Sequence, residues 1–164
     1  MKLENISLGE NVTVDPSTSI NNLKLGNNVK IAKRCSIFGS KEHVLEIGDD
    51  SYVGMNTILN GYSAKLKIGS NVSIAQNVNI MTDSGPNASS ELQKIYPIIK
   101  EEITISDHCW IGASVIIMPG VTLGKYCIVA ANSFVDKSFD DYSIVGGTPA
   151  RLLKRIEPEL LQKD

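Results

Sequence analysis

The aliphatic residues of this chain recur every six positions. They fall into triplets: Leu8, Val14, Ile20; Leu25, Ile31, Ile37; Ile47, Val53, Leu59; Ile68, Ile74, Ile80; Ile105, Ile111, Ile117; and Leu123, Val129, Val135. Glycine often follows, as at Gly9, Gly26, Gly48, Gly69, Gly112 and Gly124. The fifth position of each hexad is small: Val12, Thr18, Val29, Cys35, Ser51, Thr57, Val72, Val78, Cys109, Val115, Val121, Cys127 and Ser133. A period of six suits neither an amphipathic helix nor a long alternating strand. It suits a chain that makes a short strand, turns and repeats, and hexapeptide repeats of this kind specify a parallel β-helix.

Three hexads make a coil of about 18 residues, so each triplet is one triangular turn of a solenoid. Six turns at about 4.8 Å per strand spacing give a prism roughly 29 Å tall. The aliphatic residue points inward and stacks on its counterparts above and below. The fourth position is rich in Asn and Asp: Asn11, Asn28, Asp50, Asn56, Asn71, Asn77 and Asn132. These types tolerate the left-handed backbone angles of turns.

The period breaks only after the third strand of a triplet: between Ile20 and Leu25, Ile37 and Ile47, Leu59 and Ile68, and Ile80 and Ile105. Every irregular segment is therefore expected at one corner of the prism. The largest, 81–104, carries Gly85, Pro86, Asn87 and Pro97. A long loop on one edge of a rigid scaffold marks that edge as the candidate site.

The expected organisation is a solenoid domain over 1–135, with the loop 81–104, followed by a C-terminal segment over 136–164. The latter reads as a turn, a short strand around Ser143–Val145 and a capping helix over 150–156. Pro149 suits the first turn of that helix, and repeat arrays need a cap over their last coil. The net charge is −2 and there is no basic run, which speaks against a nucleic-acid partner. No apolar stretch is long enough to span a membrane, and the start lacks a signal peptide's apolar core; a cytoplasmic location is expected. Cys35, Cys109 and Cys127 all hold the small fifth position, which reads as buried packing, with no disulfide or metal spacing.

Two stretches carry a family resemblance: Ile105-Ser-Asp-His-Cys-Trp-Ile-Gly-Ala-Ser-Val-Ile-Ile-Met-Pro-Gly-Val-Thr-Leu-Gly124 and Val145-Gly-Gly-Thr-Pro-Ala-Arg-Leu-Leu-Lys154. Together they resemble the hexapeptide-repeat O-acetyltransferases that use acetyl-CoA. The resemblance implies an all-β fold: a left-handed parallel β-helix of about six coils, with one extruded loop and a short C-terminal helix. That hand runs against the general rule, since about 98% of parallel crossovers are right-handed. It further implies a homotrimer with active sites between subunits, acetyl-CoA as co-substrate, and no metal. Carried over by position, Trp110 lines the pantetheine, Ala113 and Ala131 let the CoA arm approach the backbone, and Lys137 meets its outer half. Thr148 and Pro149 shape the adenine end. Arg151 and Lys154 offer cations to the phosphates. Each also has a structural alternative: a prism flank for Trp110, a turn for Lys137, a solvated face for Arg151 and Lys154.

The sequence departs from the family at two places. The catalytic His of many relatives is matched here by Gly85, and an Asn on their substrate side by Gly54. Two candidates remain for the base. His108 sits at a fourth, turn-forming position beside Trp110. Asp83 sits at the root of the extruded loop, where relatives place catalytic groups, and a carboxylate there can accept a proton. Asp83 is preferred on that ground; its alternative is an Asx turn. Ser84 and Asn87 are candidates to orient a sugar hydroxyl. His43, in a smaller interruption, is a minor candidate. No Gly-x-Ser-x-Gly pattern and no plausible Cys nucleophile appears, so direct transfer is expected rather than an acyl-enzyme. The expected function is acetyl-CoA-dependent transfer to a sugar hydroxyl of a surface glycan or its precursor. The alternatives are N-acetylation of an amino sugar and a non-catalytic solenoid for assembly or ligand binding. A zinc enzyme like the γ-class carbonic anhydrases needs three His ligands, and this chain has two histidines.

Overall fold

The computed structural model describes residues 3–163. Residues 1–2 and 164, the outer ends of the two expected segments, lie outside the described residues. The chain forms a parallel β-solenoid of six coils with three faces. The first face stacks Ile6–Leu8, Leu23–Leu25, Leu45–Ile47, Leu66–Ile68, Ile103–Ile105 and Thr122–Leu123. The second stacks Thr13–Val14, Lys30–Ile31, Tyr52–Val53, Ser73–Ile74, Trp110–Ile111 and Ile128–Val129, then a terminal hairpin. The third stacks Ser19–Asn21, Ser36–Phe38, Ile58–Asn60, Asn79–Met81, Ile116–Ile117 and Phe134–Val135.

The hexad aliphatics meet in register on all three faces. Leu25 pairs with Ile47, Val53 with Ile74, and Ile80 with Ile117. From the second coil onward they are at most 3% exposed and form one continuous core. The small fifth residues lie beside them. Several of them donate to a carbonyl of the coil above: Ser51 Oγ to Gly69 O at 3.0 Å, Thr57 Oγ1 to Ala75 O at 3.2 Å, and Cys35 Sγ to Gly54 O at 3.2 Å; Ser133 Oγ donates within its own coil, to Ala130 O at 2.6 Å. Burial of these small polar groups is therefore tolerated because each has a partner. All three cysteines are buried and free, as the hexad position predicted. The seven Asn and Asp residues singled out at the fourth position all adopt positive φ, between 55° and 60°.

The interruptions all lie at the corner between the third and first faces, as the period predicted. The third-face strand runs through Met81 and the first face resumes at Ile103, so the extruded segment proper is 82–102. It is ordered: Asp83–Ser84 pairs antiparallel with Ile99–Lys100, and a one-turn helix over Ser90–Gln93 is capped by Ser89 Oγ, which accepts from Leu92 N at 3.2 Å.

The expected helix over 150–156 is not formed. Ser143–Gly147 joins the second face beside Ile128–Val129, and Ala150–Arg155 folds back on it as an antiparallel strand. The turn at Gly147, Thr148 and Pro149, with φ +105° at Gly147, makes this a hairpin. A seven-residue helix is marginal in water, whereas the open edge of the second face offers unpaired backbone. The edge prevails. Among the described residues of the C-terminal segment, helical geometry is confined to a 3-10 turn over Pro158–Gln162.

Candidate active site

The corner between the third and first faces gathers segments that are far apart in sequence. Thr82 is fully buried and its hydroxyl donates to Asn60 O at 3.1 Å, which anchors the start of the long loop on the coil below. Asp83 follows, half-buried, and its carboxylate accepts a hydrogen bond from the Ser63 hydroxyl of the preceding interruption. Asp83 is therefore held by a neighbouring coil rather than by an Asx turn of its own. Ser84 lies beside it, half-buried, on the same short strand. Asn87 is further out and exposed; its backbone N–H donates to Gly85 O at 2.9 Å. The corner holds a half-open cavity of about 450 Å³ whose wall includes His43, Tyr62, Ser63 and Lys100. Lys100 is the strand partner of Asp83.

The two positions where the family's side chains are missing have no room for one. A Cβ on Gly85 would meet the Ile98 Cα at 2.8 Å, and one on Gly54 would meet the Ala75 carbonyl carbon at 2.5 Å and Gln76 N at 2.6 Å. The loop thus closes over the place of the usual histidine, and any base must come from elsewhere.

His108 lies at a different corner, between the first and second faces. It is exposed, has φ +61°, and its ring stacks on Tyr126 with centroids 4.6 Å apart; Tyr126 stacks in turn on Tyr142 at 5.3 Å. One chain therefore does not bring Asp83 and His108 together. Trp110, 57% exposed, stands on the outer surface of the second face between Ser73 and Ile128.

Most of the remaining cofactor candidates form a strip. Ala113 and Ala131 occupy turns between the second and third faces in successive coils, tied by Asn132 N donating to Ala113 O at 2.9 Å. Thr148 joins them, its hydroxyl 3.5 Å from Asn132 O, with Pro149 adjacent. Arg151 and Lys154 project from the terminal strand, both exposed; one Arg151 nitrogen donates to Ala150 O at 3.0 Å. Lys137 stands apart at the loop-bearing corner, its Nζ 5.6 Å from the centre of the Phe139 ring. Among the described residues, no group of three or more His, Cys, Asp or Glu side chains could hold a metal ion, and no helix is long and apolar enough to cross a membrane.

Ser63, Tyr62 and Lys100 were not singled out from the sequence. Their signal was positional: they lie in segments that break the period at the same corner as Asp83.

Residues 102–137 match the family model "Bacterial transferase hexapeptide (six repeats)". The chain is 36% identical over 120 residues to a galactoside O-acetyltransferase of Escherichia coli, covering 73% of this chain and 56% of that one. It is 33% identical over 138 residues to the putative colanic acid biosynthesis acetyltransferase WcaF of the same species, covering 83% and 71%. Among solved structures it resembles AntD, an N-acyltransferase from Bacillus cereus in complex with dTDP and 3-hydroxybutyryl-CoA. The TM-score is 0.81 at 26% identity, over 95% of this chain and 86% of that one. A maltose O-acetyltransferase from Clostridium difficile gives 0.63 at 27% identity, over 94% and 71%. The chain spans about half the length of the first relatives it matches, 49–56%.

Proposed function

The chain belongs to the hexapeptide-repeat acetyltransferase family, and we propose that it transfers an acetyl group from acetyl-CoA to a sugar hydroxyl, in a surface glycan or its precursor. The observation that carries this is the extent of the likeness: a third of the residues are shared with WcaF over most of both chains. The acyl-CoA held by AntD, on a solenoid that superposes along nearly the whole chain, supports CoA as the donor.

The side chains suit that donor. Trp110 offers an exposed ring, Ala113 and Ala131 leave the corner open, and Arg151 and Lys154 supply cations for phosphates at the last coil. All three thiols are buried, so no cysteine nucleophile faces solvent, and direct transfer follows. Asp83 is the proposed base. It takes the proton of the acceptor hydroxyl as that oxygen bonds to the thioester carbonyl carbon; the C–S bond breaks, and the proton passes from Asp83 to the departing sulfur. Ser63 fixes the carboxylate, and Ser84 orients the acceptor, with Asn87 at the rim.

Assembly as a trimer belongs to the same proposal. Outward residues of the first face are polar or charged, such as Lys24, Glu46 and Lys67, whereas Tyr52 and Trp110 on the second face and Ile58 and Ile116 on the third are exposed and apolar. Asp83 and His108 stand at different corners of one prism, so a site using both draws them from two subunits.

Release of free CoA thiol, measured over a panel of neutral and amino sugars, tests the activity. Asp83→Asn should retain the fold and acetyl-CoA binding while turnover falls roughly 10²-fold or more. Full activity in that variant and loss in His108→Asn would move the role to His108. The likeness to AntD supports a second reading, N-acylation of a nucleotide-linked amino sugar; faster transfer to such an amine than to any hydroxyl would select it.

A further inference from the structure

We propose that the cavity at the loop-bearing corner is the acceptor site, and that it is made for an uncharged sugar rather than a nucleotide-linked one; this rests on the acetyl-transfer activity proposed above. The cavity, about 450 Å³, lies within the roughly 300–1,000 Å³ range of small-molecule sites. Its walls come from four successive coils: Asn22, then Ser40 and His43, then Tyr62 and Ser63, then Lys100. Ser63 is the contact that links it to the chemistry, because its hydroxyl donates to the Asp83 carboxylate. A hydroxyl held against Ser63 is thereby placed at the proposed base.

The charges argue against a diphosphate. Of the two lysines in the wall, Lys41 is already paired with Glu4, its Nζ 3.4 Å from Oε2, and Lys100 is offset by Glu42 in the same wall. Among the described residues of the wall, two lysines stand against two carboxylates, so the lining carries no excess of lysine charge for a pyrophosphate group. A neutral sugar needs instead a mixture of donors and acceptors and an apolar ring face. The cavity has both. Asn22 is 8% exposed, and its Oδ1 already accepts from Asn5 Nδ2 at 3.0 Å, which leaves its own amide N–H groups to donate. Ser40 and His43 are fixed to each other through the backbone, with Ser40 N donating to His43 O at 2.8 Å and His43 N donating to Ser40 Oγ at 3.1 Å. These two hydrogen bonds fix the turn that carries His43 at the wall. Tyr62 is 62% exposed, so its ring is free to lie against the C–H face of a pyranose.

The experiment compares wild type with Tyr62→Ala and His43→Ala, using methyl galactoside, maltose and a dTDP-linked amino sugar as acceptors. The neutral sugars should be the better acceptors. Each variant should raise the KM for them about tenfold or more with little change in kcat, while calorimetric affinity for acetyl-CoA stays at the wild-type value. Wild-type KM in both variants overturns the site. A higher kcat/KM for the dTDP-linked sugar than for the neutral ones overturns the ligand class. If wild type acetylates nothing, the activity proposed above fails, and saturation-transfer NMR judges the cavity alone. Glycoside signals present in wild type and lost in Tyr62→Ala uphold it; no signal in wild type overturns it.

Discussion

Each hexad asks three different things of its residues. The aliphatic residue must fill an interior closed to water. Ile74, 1% exposed, is stacked between Val53 and Ile111, so Ile74→Asp strands a charge without a partner. That variant should fail to give a cooperative thermal transition, whereas Cys127→Ser should lose no more than about 1 kcal/mol. A serine hydroxyl can donate to Asp140 O as the thiol does at 3.2 Å, and Ser51 and Ser133 already hold the equivalent place. An Ile74→Asp protein melting near wild type would refute the packed interior. The residue after a first-face aliphatic must leave space for the coil above: a Cβ on Gly26 would meet Asp49 Oδ1 at 2.2 Å and Asp49 N at 2.7 Å. Gly26→Ala should therefore lower stability by roughly 1–3 kcal/mol in urea denaturation; no change would mean that this corner is looser than it stands here. The fourth residue must accept a left-handed backbone, and His108 meets that demand one coil above Asn71. These demands were legible in the sequence because each acts on one residue type at one phase of the period. The ring stack of His108, Tyr126 and Tyr142 was not, since it depends on which turn residues happen to be aromatic.

Among the elements, the C-terminal segment forms a hairpin where its own sequence reads as a helix, and the reason is physical. Apolar residues at 152, 153 and 156 fit a helical stripe, but local periodicity does not register the open sheet edge left by Ser143–Gly147. The strand outcome changes how Arg151 and Lys154 are presented. On a helix three residues apart they would share one face; on a strand whose extra residue is Leu153, they pair with Gly146 and Ile144, two positions apart along the neighbouring strand. Two cations spread along an edge suit phosphates that are themselves spread along a chain. Charge reversal at both, Arg151→Glu with Lys154→Glu, should weaken acetyl-CoA binding several-fold or more, because attraction becomes repulsion. The loss should shrink as salt is raised. Both residues are exposed, so the fold should be unaffected. Unchanged calorimetric affinity at low salt would show that the terminal strand does not meet the phosphates.

Taken whole, the molecule is a prism whose interruptions between successive coils lie at one corner, and that corner collects the cavity, Ser63 and Asp83. The sequence located the corner, since the breaks in the period share one phase. Beyond His43 it did not identify the cavity wall, because Asn22, Tyr62 and Lys100 come from different coils and meet only once the coils are stacked. The same stacking makes an asymmetric exterior: the outward residues of the first face are polar or charged, whereas the second and third faces each carry exposed apolar residues among polar ones. Exposed Tyr52, Ile58, Trp110 and Ile116 call for cover, and three copies related by a closed three-fold axis cover such faces without leaving a free end. The assembled mass should be near three times 17.8 kDa. Ile116→Lys places a charge on the third face, one strand from its end, on a residue 38% exposed in the single chain, so the monomer should still fold while the trimer dissociates. Sedimentation velocity would then give the single-chain mass with an unchanged circular dichroism spectrum. If that variant is also inactive although it binds acetyl-CoA, the acceptor chemistry requires residues from two subunits. Wild type sedimenting as a monomer would remove both the trimer and any site shared across it.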